Sequence, residues 1–135
     1  MDAEAAVVGA NDSFYRAFTE GSHRAMAELW ARSAAVVCVH PGAPAIVGRE
    51  SVLDSWRMIL REAPPLPMRC DGVVVNLLGG DVAVVTCYEG NGDHPAHLAA
   101  TNVFVREDGS WRMVHHQAGP LSRSIPRPAP RSTLN

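Results

Sequence analysis

Apolar side chains recur at three- and four-residue steps through the first part of the chain and in short β-rich runs through the second, so helices are predicted to precede strands. From Ala3 to Glu20, Val7, Ala10, Phe14 and Phe18 form one apolar stripe, the spacing of a helix lying on a core. Gly21 stops it, and Ser22 caps a second helix along which Met26, Leu29 and Trp30 fall on one side. Ala34 to His40 reads as a strand closed by Pro41-Gly42, and Ala45 to Val47 as a brief paired strand. A third helix runs from Arg49 to Glu62 with Val52, Trp56, Ile59 and Leu60 as its stripe, and Pro64 and Pro65 end it.

Beyond Pro67 the pattern changes to strands: Arg69 to Leu78, a Gly79-Gly80 turn, Asp81 to Glu89, a looser turn at Gly90 to Pro95, and a final hairpin within Ala100 to Pro120. Three helices followed by an antiparallel meander predict an α+β domain with the helices on one side of a curved sheet. Asp108-Gly109 is the strongest hairpin signal, because its glycine accepts the positive φ of a tight turn. A two- or four-residue loop would set Arg106 opposite Trp111, Phe104 opposite Met113 and Asn102 opposite His115. A three-residue loop with a bulge would instead bring Asn102 beside Val114 and His116. The register decides which histidine faces inward.

The chain has 135 residues, the size of one domain. Hydrophobic residues at 47% and charged residues at 19% are ordinary for a globular fold. A formal net charge of -2 leaves no basic footprint for nucleic acid. Cys38, Cys70 and Cys87 are odd in number and lack CxxC spacing, so reduced, buried thiols are expected rather than disulfides or a zinc ribbon. The first twenty residues lack a basic leader with an unbroken apolar core, and no run reaches bilayer length; a cytoplasmic location and no membrane partner are expected. A domain over residues 1–122 and a Pro- and Arg-rich tail over 123–135, extended or disordered, complete the layout.

Four stretches, VCVHPG at Val37 to Gly42, VGRESVLDSW at Val47 to Trp56, GDVAVVTCYE at Gly80 to Glu89 and ATNVFVREDGSWRMVHHQAGP at Ala100 to Pro120, resemble the nuclear transport factor 2-like superfamily, in particular its bacterial SnoaL-like, ketosteroid-isomerase-like members. The last is also similar to the end of the calmodulin-dependent kinase II association domain. The resemblance implies a cone-shaped α+β barrel whose bent sheet wraps a long helix and leaves a pocket, commonly in a homodimer that packs sheet on sheet. It does not imply one reaction, since such proteins include isomerases, dehydratases, cyclases, epoxide hydrolases and non-catalytic domains. Ala43, where an aromatic often follows the His-Pro-Gly turn, and Gln117, where a third histidine is usual, depart from the pattern.

Polar residues within or closing apolar strands are the candidates for chemistry. His40, Glu89 and His115 are the expected acid-base groups, with Asn102 or Gln117 as donors to a developing oxyanion. Phe14, Trp30, Trp56, Phe104 and Met113 are expected to line or pack the interior, core packing being the commoner role for such residues. For His115 and His116 the alternative is that one satisfies a buried backbone group and the other lies in a sheet interface. Adjacent strand residues point to opposite faces, so the pair is a poor chelate, and His94 and His97 complete no zinc pattern; neither metal nor cofactor is expected. The expected partners are a small apolar or carbonyl-bearing molecule and a second copy of the chain. A non-catalytic dimerisation or interaction domain is the competing reading.

Overall fold

In the computed structural model, which describes residues 2–62 and 67–127, three helices pack on one face of a six-stranded, mostly antiparallel sheet. Helix α1 spans Ala3–Glu20; the Asp2 carboxylate accepts from the Ala5 amide at 2.7 Å, satisfying one of the free donors of the first turn. Gly21 ends α1 in the left-handed region, and the Ser22 hydroxyl then caps α2 (His23–Leu29) through the Ala25 amide at 3.1 Å. So short a helix needs its carbonyls satisfied from outside. Arg49 does this, donating to the carbonyls of Trp30 at 2.6 Å, Ala27 at 2.8 Å and Ala31 at 3.1 Å. Arg49 also opens α3 (Arg49–Arg61), so α2 and α3 are tied at that point. The Pro64-Pro65 stop falls outside the described residues.

The strands are β1 (Val37–Val39), β2 (Ile46–Val47), β3 (Met68–Leu78), β4 (Val82–Asn91), β5 (Ala96–Glu107) and β6 (Ser110–Ile125), in the spatial order β2-β1-β6-β5-β4-β3. Strands β3 to β6 form the expected meander, and β1 adds to β6 in parallel. The sheet curls around α1 without closing, because its end strands β2 and β3 do not pair with each other. β1 is shorter than the predicted Ala34 to His40. The amides of Arg32, Ser33 and Ala34 donate to the Glu107 carboxylate at 2.8, 2.9 and 3.2 Å, so a side chain takes up donors that a strand would have offered to a neighbour. β6 runs three residues past 122, with Ile125 opposite Ala96. Among the described residues, no helix is long and apolar enough to cross a membrane.

Two irregularities aim the side chains. The Gly79-Gly80 hairpin leads into β4, but β3 is interrupted between Asp71 and Val74, where Gly72 takes φ 62°. In the last hairpin the loop has two residues, with Asp108 at φ 51° and Gly109 at φ 78°, the signature of a turn matched to strand twist. Arg106 then faces Trp111 and Phe104 faces Met113, as the short loop predicts. The register slips at the next step, so that Val103 faces His115 and Asn102 faces His116. A bulge at Val114, inside the strand and away from the turn, therefore reverses the pairing of Asn102 with His115.

The core lies between α1 and the concave face. Val7, Phe14, Met26, Trp30, Val52, Trp56, Ala83, Val85, Phe104 and Met113 are all buried there. Phe14 and Trp56 meet edge to face at 5.3 Å and Phe18 and Trp56 at 5.1 Å, joining α1 to α3.

Candidate functional site

Among the described residues, four polar side chains are buried in this apolar core: Asn11, Glu89, Asn102 and His116. Such groups destabilise a fold unless they are partnered, and here they partner one another. Asn11 and Tyr15 stand one turn apart on α1, so both reach the same strip of the sheet. Across from them, Glu89 on β4, Asn102 on β5 and His116 on β6 point inward because they share the face of Cys87, Ala100 and Ala118.

The hydrogen bonds run in one direction. Nδ1 of His116 lies 2.6 Å from Oδ1 of Asn102, and an amide oxygen only accepts, so the proton is on Nδ1 and Nε2 carries a lone pair. Nδ2 of Asn102 donates to Oδ1 of Asn11 at 2.8 Å and to the Tyr15 hydroxyl at 3.2 Å. Tyr15 in turn donates to Oε2 of Glu89 at 2.6 Å. Two thiols flank the chain: Sγ of Cys87 is 3.3 Å from the Tyr15 hydroxyl, and Nδ2 of Asn11 donates to Sγ of Cys70 at 3.6 Å.

Burial sets the charge states. It raises the Glu89 carboxyl above the usual carboxylate range, the Tyr15 hydrogen bond opposing in part. It pushes His116 down to about 3, with His40 and His115 adding repulsion. Burial and the neighbouring Glu89 carboxylate hold Tyr15 protonated far above the ordinary phenol range. Burial likewise pushes the Cys38 thiol up to about 12, which makes it a poor nucleophile.

A carboxyl raised on folding stabilises the fold below its unfolded value of 4.5, and that contribution is lost as pH rises through the folded value. Glu89→Gln, which keeps an acceptor for Tyr15 without the charge, should therefore raise the melting temperature at pH 8. The gain should vanish at pH 4. Thermal unfolding at the two pH values checks both the sign and its disappearance.

The predicted residues divide into those on this chain and those away from it. Glu89 and Asn102 are on it, and the rings of Phe14 and Trp56 lie 4.8 and 5.9 Å from that of His116. His40 is half-buried at the end of β1, its ring 5.0 Å from Trp56. Its Nε2 lies 3.0 Å from the Ser55 hydroxyl, which itself donates to the Val52 carbonyl at 2.7 Å, so His40 is the donor of the pair. Burial lowers its basicity. Trp30, Phe104 and Met113 are fully buried core residues. His115 and Gln117 do not join the cluster: His115 is half-buried opposite Val103, and Gln117 is exposed opposite Thr101. The Val114 bulge turns His116 inward instead.

Asn11 and Tyr15 are absent from the sequence-based set, although a signal for them exists. Asn11 falls on the Val7–Phe14–Phe18 stripe, where a polar residue at helical spacing marks a buried hydrogen-bonding group. For Tyr15 the burial is visible only once α1 lies inside the curl of the sheet.

The sequence matches the family of SnoaL-like domains over residues 7–122. The structure is similar to that of a candidate dehydratase of the NTF2-like family from Streptomyces avermitilis, with a TM-score of 0.78, 33% identity, and coverage of 88% of this chain and 96% of that one. A candidate calcium/calmodulin-dependent protein kinase type II association domain from Thiobacillus denitrificans superposes with a TM-score of 0.70 at 36% identity, covering 84% and 93% of the two chains. In Arabidopsis thaliana the F-box protein SKIP8 is 28% identical over 113 residues, 84% of this chain but 48% of that protein, so the chain spans about half the length of this curated relative.

Proposed function

The chain belongs to the family of SnoaL-like domains, and from that premise we propose that it binds a small apolar or carbonyl-bearing molecule within the cone and carries out cofactor-free acid-base chemistry on it, of the isomerase, dehydratase or cyclase type. One observation carries the reading: the buried chain His116–Asn102–Tyr15–Glu89 holds an unprotonated imidazole at one end and a carboxyl of raised pKa at the other. Burial pushes each group toward its neutral form, an imidazole with a free lone pair and a carboxyl readier to carry a proton, so the two can serve as base and acid. Nε2 of His116 accepts a proton from a C–H or O–H of the ligand. Glu89 delivers one to the oxygen on which charge develops, and the proton count balances within the site. Asn102 and Tyr15 are positioning residues, fixing the imidazole tautomer and the carboxyl orientation. His40, half-buried at the rim, exchanges protons with solvent. The similarity to a candidate dehydratase at 33% identity supports this class of reaction.

The test uses 1-tetralone, an uncharged cyclic ketone, in deuterated buffer. Wild-type protein should accelerate deuterium exchange at the ketone α-carbon, and His116→Gln and Glu89→Gln should each lower that rate roughly 10²–10⁴-fold while remaining folded. Exchange no faster than in buffer, or unchanged in both variants, would sink the reading.

A second reading has its own support. The relative from Thiobacillus denitrificans bears the name of an association domain, and the outer face of the sheet carries Val82, Val84, Val103 and Val105 at intermediate burial beside Val74 at 53% exposure. Pairing through that face would give a homodimer with an assembly role. Analytical ultracentrifugation at micromolar concentration should then give twice the 14.5 kDa chain mass; a monomer overturns the assembly role and leaves the acid-base reading intact.

A further inference from the structure

The indole N–H of Trp56 is one of four buried side-chain polar atoms without a hydrogen-bond partner among the described residues. Trp56 is 1% exposed and its Nε1 has no hydrogen-bond partner among the described residues. Leaving a buried donor unpaired destabilises a fold, which is why indole N–H groups in cores normally find an acceptor. The neighbouring Cys38 thiol feels the N–H, which eases its burial-driven rise, but the two do not meet in hydrogen-bond geometry, and a neutral thiol is a weak acceptor.

Its setting differs from that of an ordinary core tryptophan. The Trp56 ring touches His40 at 5.0 Å and His116 at 5.9 Å, so it links the rim histidine to the buried one. Phe18 and His40, which pack on it at 5.1 and 5.0 Å, are only half-buried, so one layer of side chains separates Trp56 from solvent. Phe14 closes the inner side at 5.3 Å. A group inserted beside Trp56 would meet the rings of Phe14, Phe18, His40 and His116 and the indole N–H.

Charge is disfavoured there. Arg49 is committed to three backbone carbonyls, and Arg69 to Asp71 at 2.7 Å and to the carbonyls of Gly92 and His94. His116 stays neutral. A carboxylate or phosphate would be buried without a counter-charge, and an ammonium would find only the raised carboxyl of Glu89.

We propose that the indole N–H of Trp56 is the ligand's anchoring donor, holding an uncharged acceptor oxygen, carbonyl or hydroxyl, between the rings of Phe14, Phe18 and His40. The proposal rests on the small-molecule reading above and adds to it the group that orients the ligand and the chemical character of the end that it grips.

The experiment reads the indole protons directly. The chain has three tryptophans, and a ¹H–¹⁵N correlation spectrum of the wild-type protein resolves one indole signal for each. Trp56→Phe assigns the Trp56 signal by its loss; if that variant does not fold, Trp30→Phe and Trp111→Phe assign it by elimination. Titration with 1-tetralone should move the Trp56 signal downfield, as a new hydrogen bond requires, while tetralin, the same skeleton without oxygen, should not. The Trp30 N–H, also buried without a partner but outside this ring cluster, is the internal control and should stay in place.

If 1-tetralone shifts backbone signals at Glu89 and His116 but not the Trp56 indole, or if tetralin moves that indole equally, the anchoring role is overturned and the pocket reading stands. If 1-tetralone at millimolar concentration moves none of these signals, both are overturned. Replacing Trp56 with its benzothienyl analogue, which keeps the ring and loses the N–H, should weaken 1-tetralone binding about tenfold and leave tetralin binding unchanged. Equal affinity for the ketone in both proteins would exclude the indole as its donor.

Discussion

Acidification from pH 7 to pH 4 should cost the native fold roughly 3 kcal/mol at His116 alone, and His116→Gln should remove most of that slope. The sign follows from the direction of the shift. Burial pushes His116 from 6.5 to about 3, so its contribution to stability is complete above the unfolded value of 6.5 and is lost as pH falls toward the folded value. The groups around the imidazole bring no negative charge to it: Phe14 and Trp56 present uncharged rings, Asn102 is neutral, and His40 and His115 repel an added proton. Glu89 acts in the opposite sense, because its raised carboxyl gains stability as pH falls toward 4.5. Urea unfolding at pH 7, 5.5 and 4 of the wild type, His116→Gln, Glu89→Gln and the double variant separates the two. Parallel profiles for wild type and His116→Gln would mean that the imidazole is solvated or charged in the native state.

Asn102→Leu should destabilise the protein by about 4 kcal/mol at pH 7, against about 0.5 kcal/mol or less for Gln117→Ala on a neighbouring strand. Leucine matches asparagine in number and branching of side-chain heavy atoms, though its methyl groups are bulkier, so the difference is chiefly one of hydrogen bonding. Removing the amide leaves Nδ1–H of His116 and Oδ1 of Asn11 buried without partners and takes one donor from Tyr15. Each stranded group costs about 1–3 kcal/mol. Gln117 is exposed, and no such group depends on it. Chemical denaturation followed by circular dichroism gives both values; a loss below 1 kcal/mol in Asn102→Leu would show that the chain is not held together by its central amide.

Much of the architecture was legible because it is locally encoded. The stripe Val7–Phe14–Phe18, the Ser22 cap and the glycine turns at 79–80 and 109 each carry their structural meaning within a few residues, and the helices and meander follow from them. The site is written less locally. Its members come from α1, β4, β5 and β6, and whether a strand residue faces inward depends on register. Val114 is the instructive position: a β-branched residue in a β-rich run gives no sign of a bulge, yet that one extra residue exchanges the faces of His115 and His116. Glu89 looked like a strand end because Gly90 follows it. The strand continues to Asn91 because β3 pairs with it there, Arg69 opposite Gly90 and Met68 opposite Asn91, and position 90 is a glycine because a Cβ would lie 3.2 Å from the Cα of Ala96 and 2.9 Å from the Arg69 guanidinium. A glycine at a close approach and a glycine at a turn look alike in sequence.

The parallel pairing of β1 with β6 bears on the order in which the molecule assembles. The meander closes through short hairpins and is favoured early, whereas Cys38 meets His116 only after more than half of the chain has been gathered. Docking of β1, with α3 behind it, is therefore expected to follow the meander, and Cys38, buried beside His116, belongs to the wall that covers the imidazole. Substitutions at Cys38 should accelerate unfolding while leaving the refolding rate nearly unchanged, as stopped-flow measurements would show. A late-docking strand is also expected to leave early, so the wall that covers the polar chain should open at a lower cost in free energy than the meander, as amide hydrogen exchange would show.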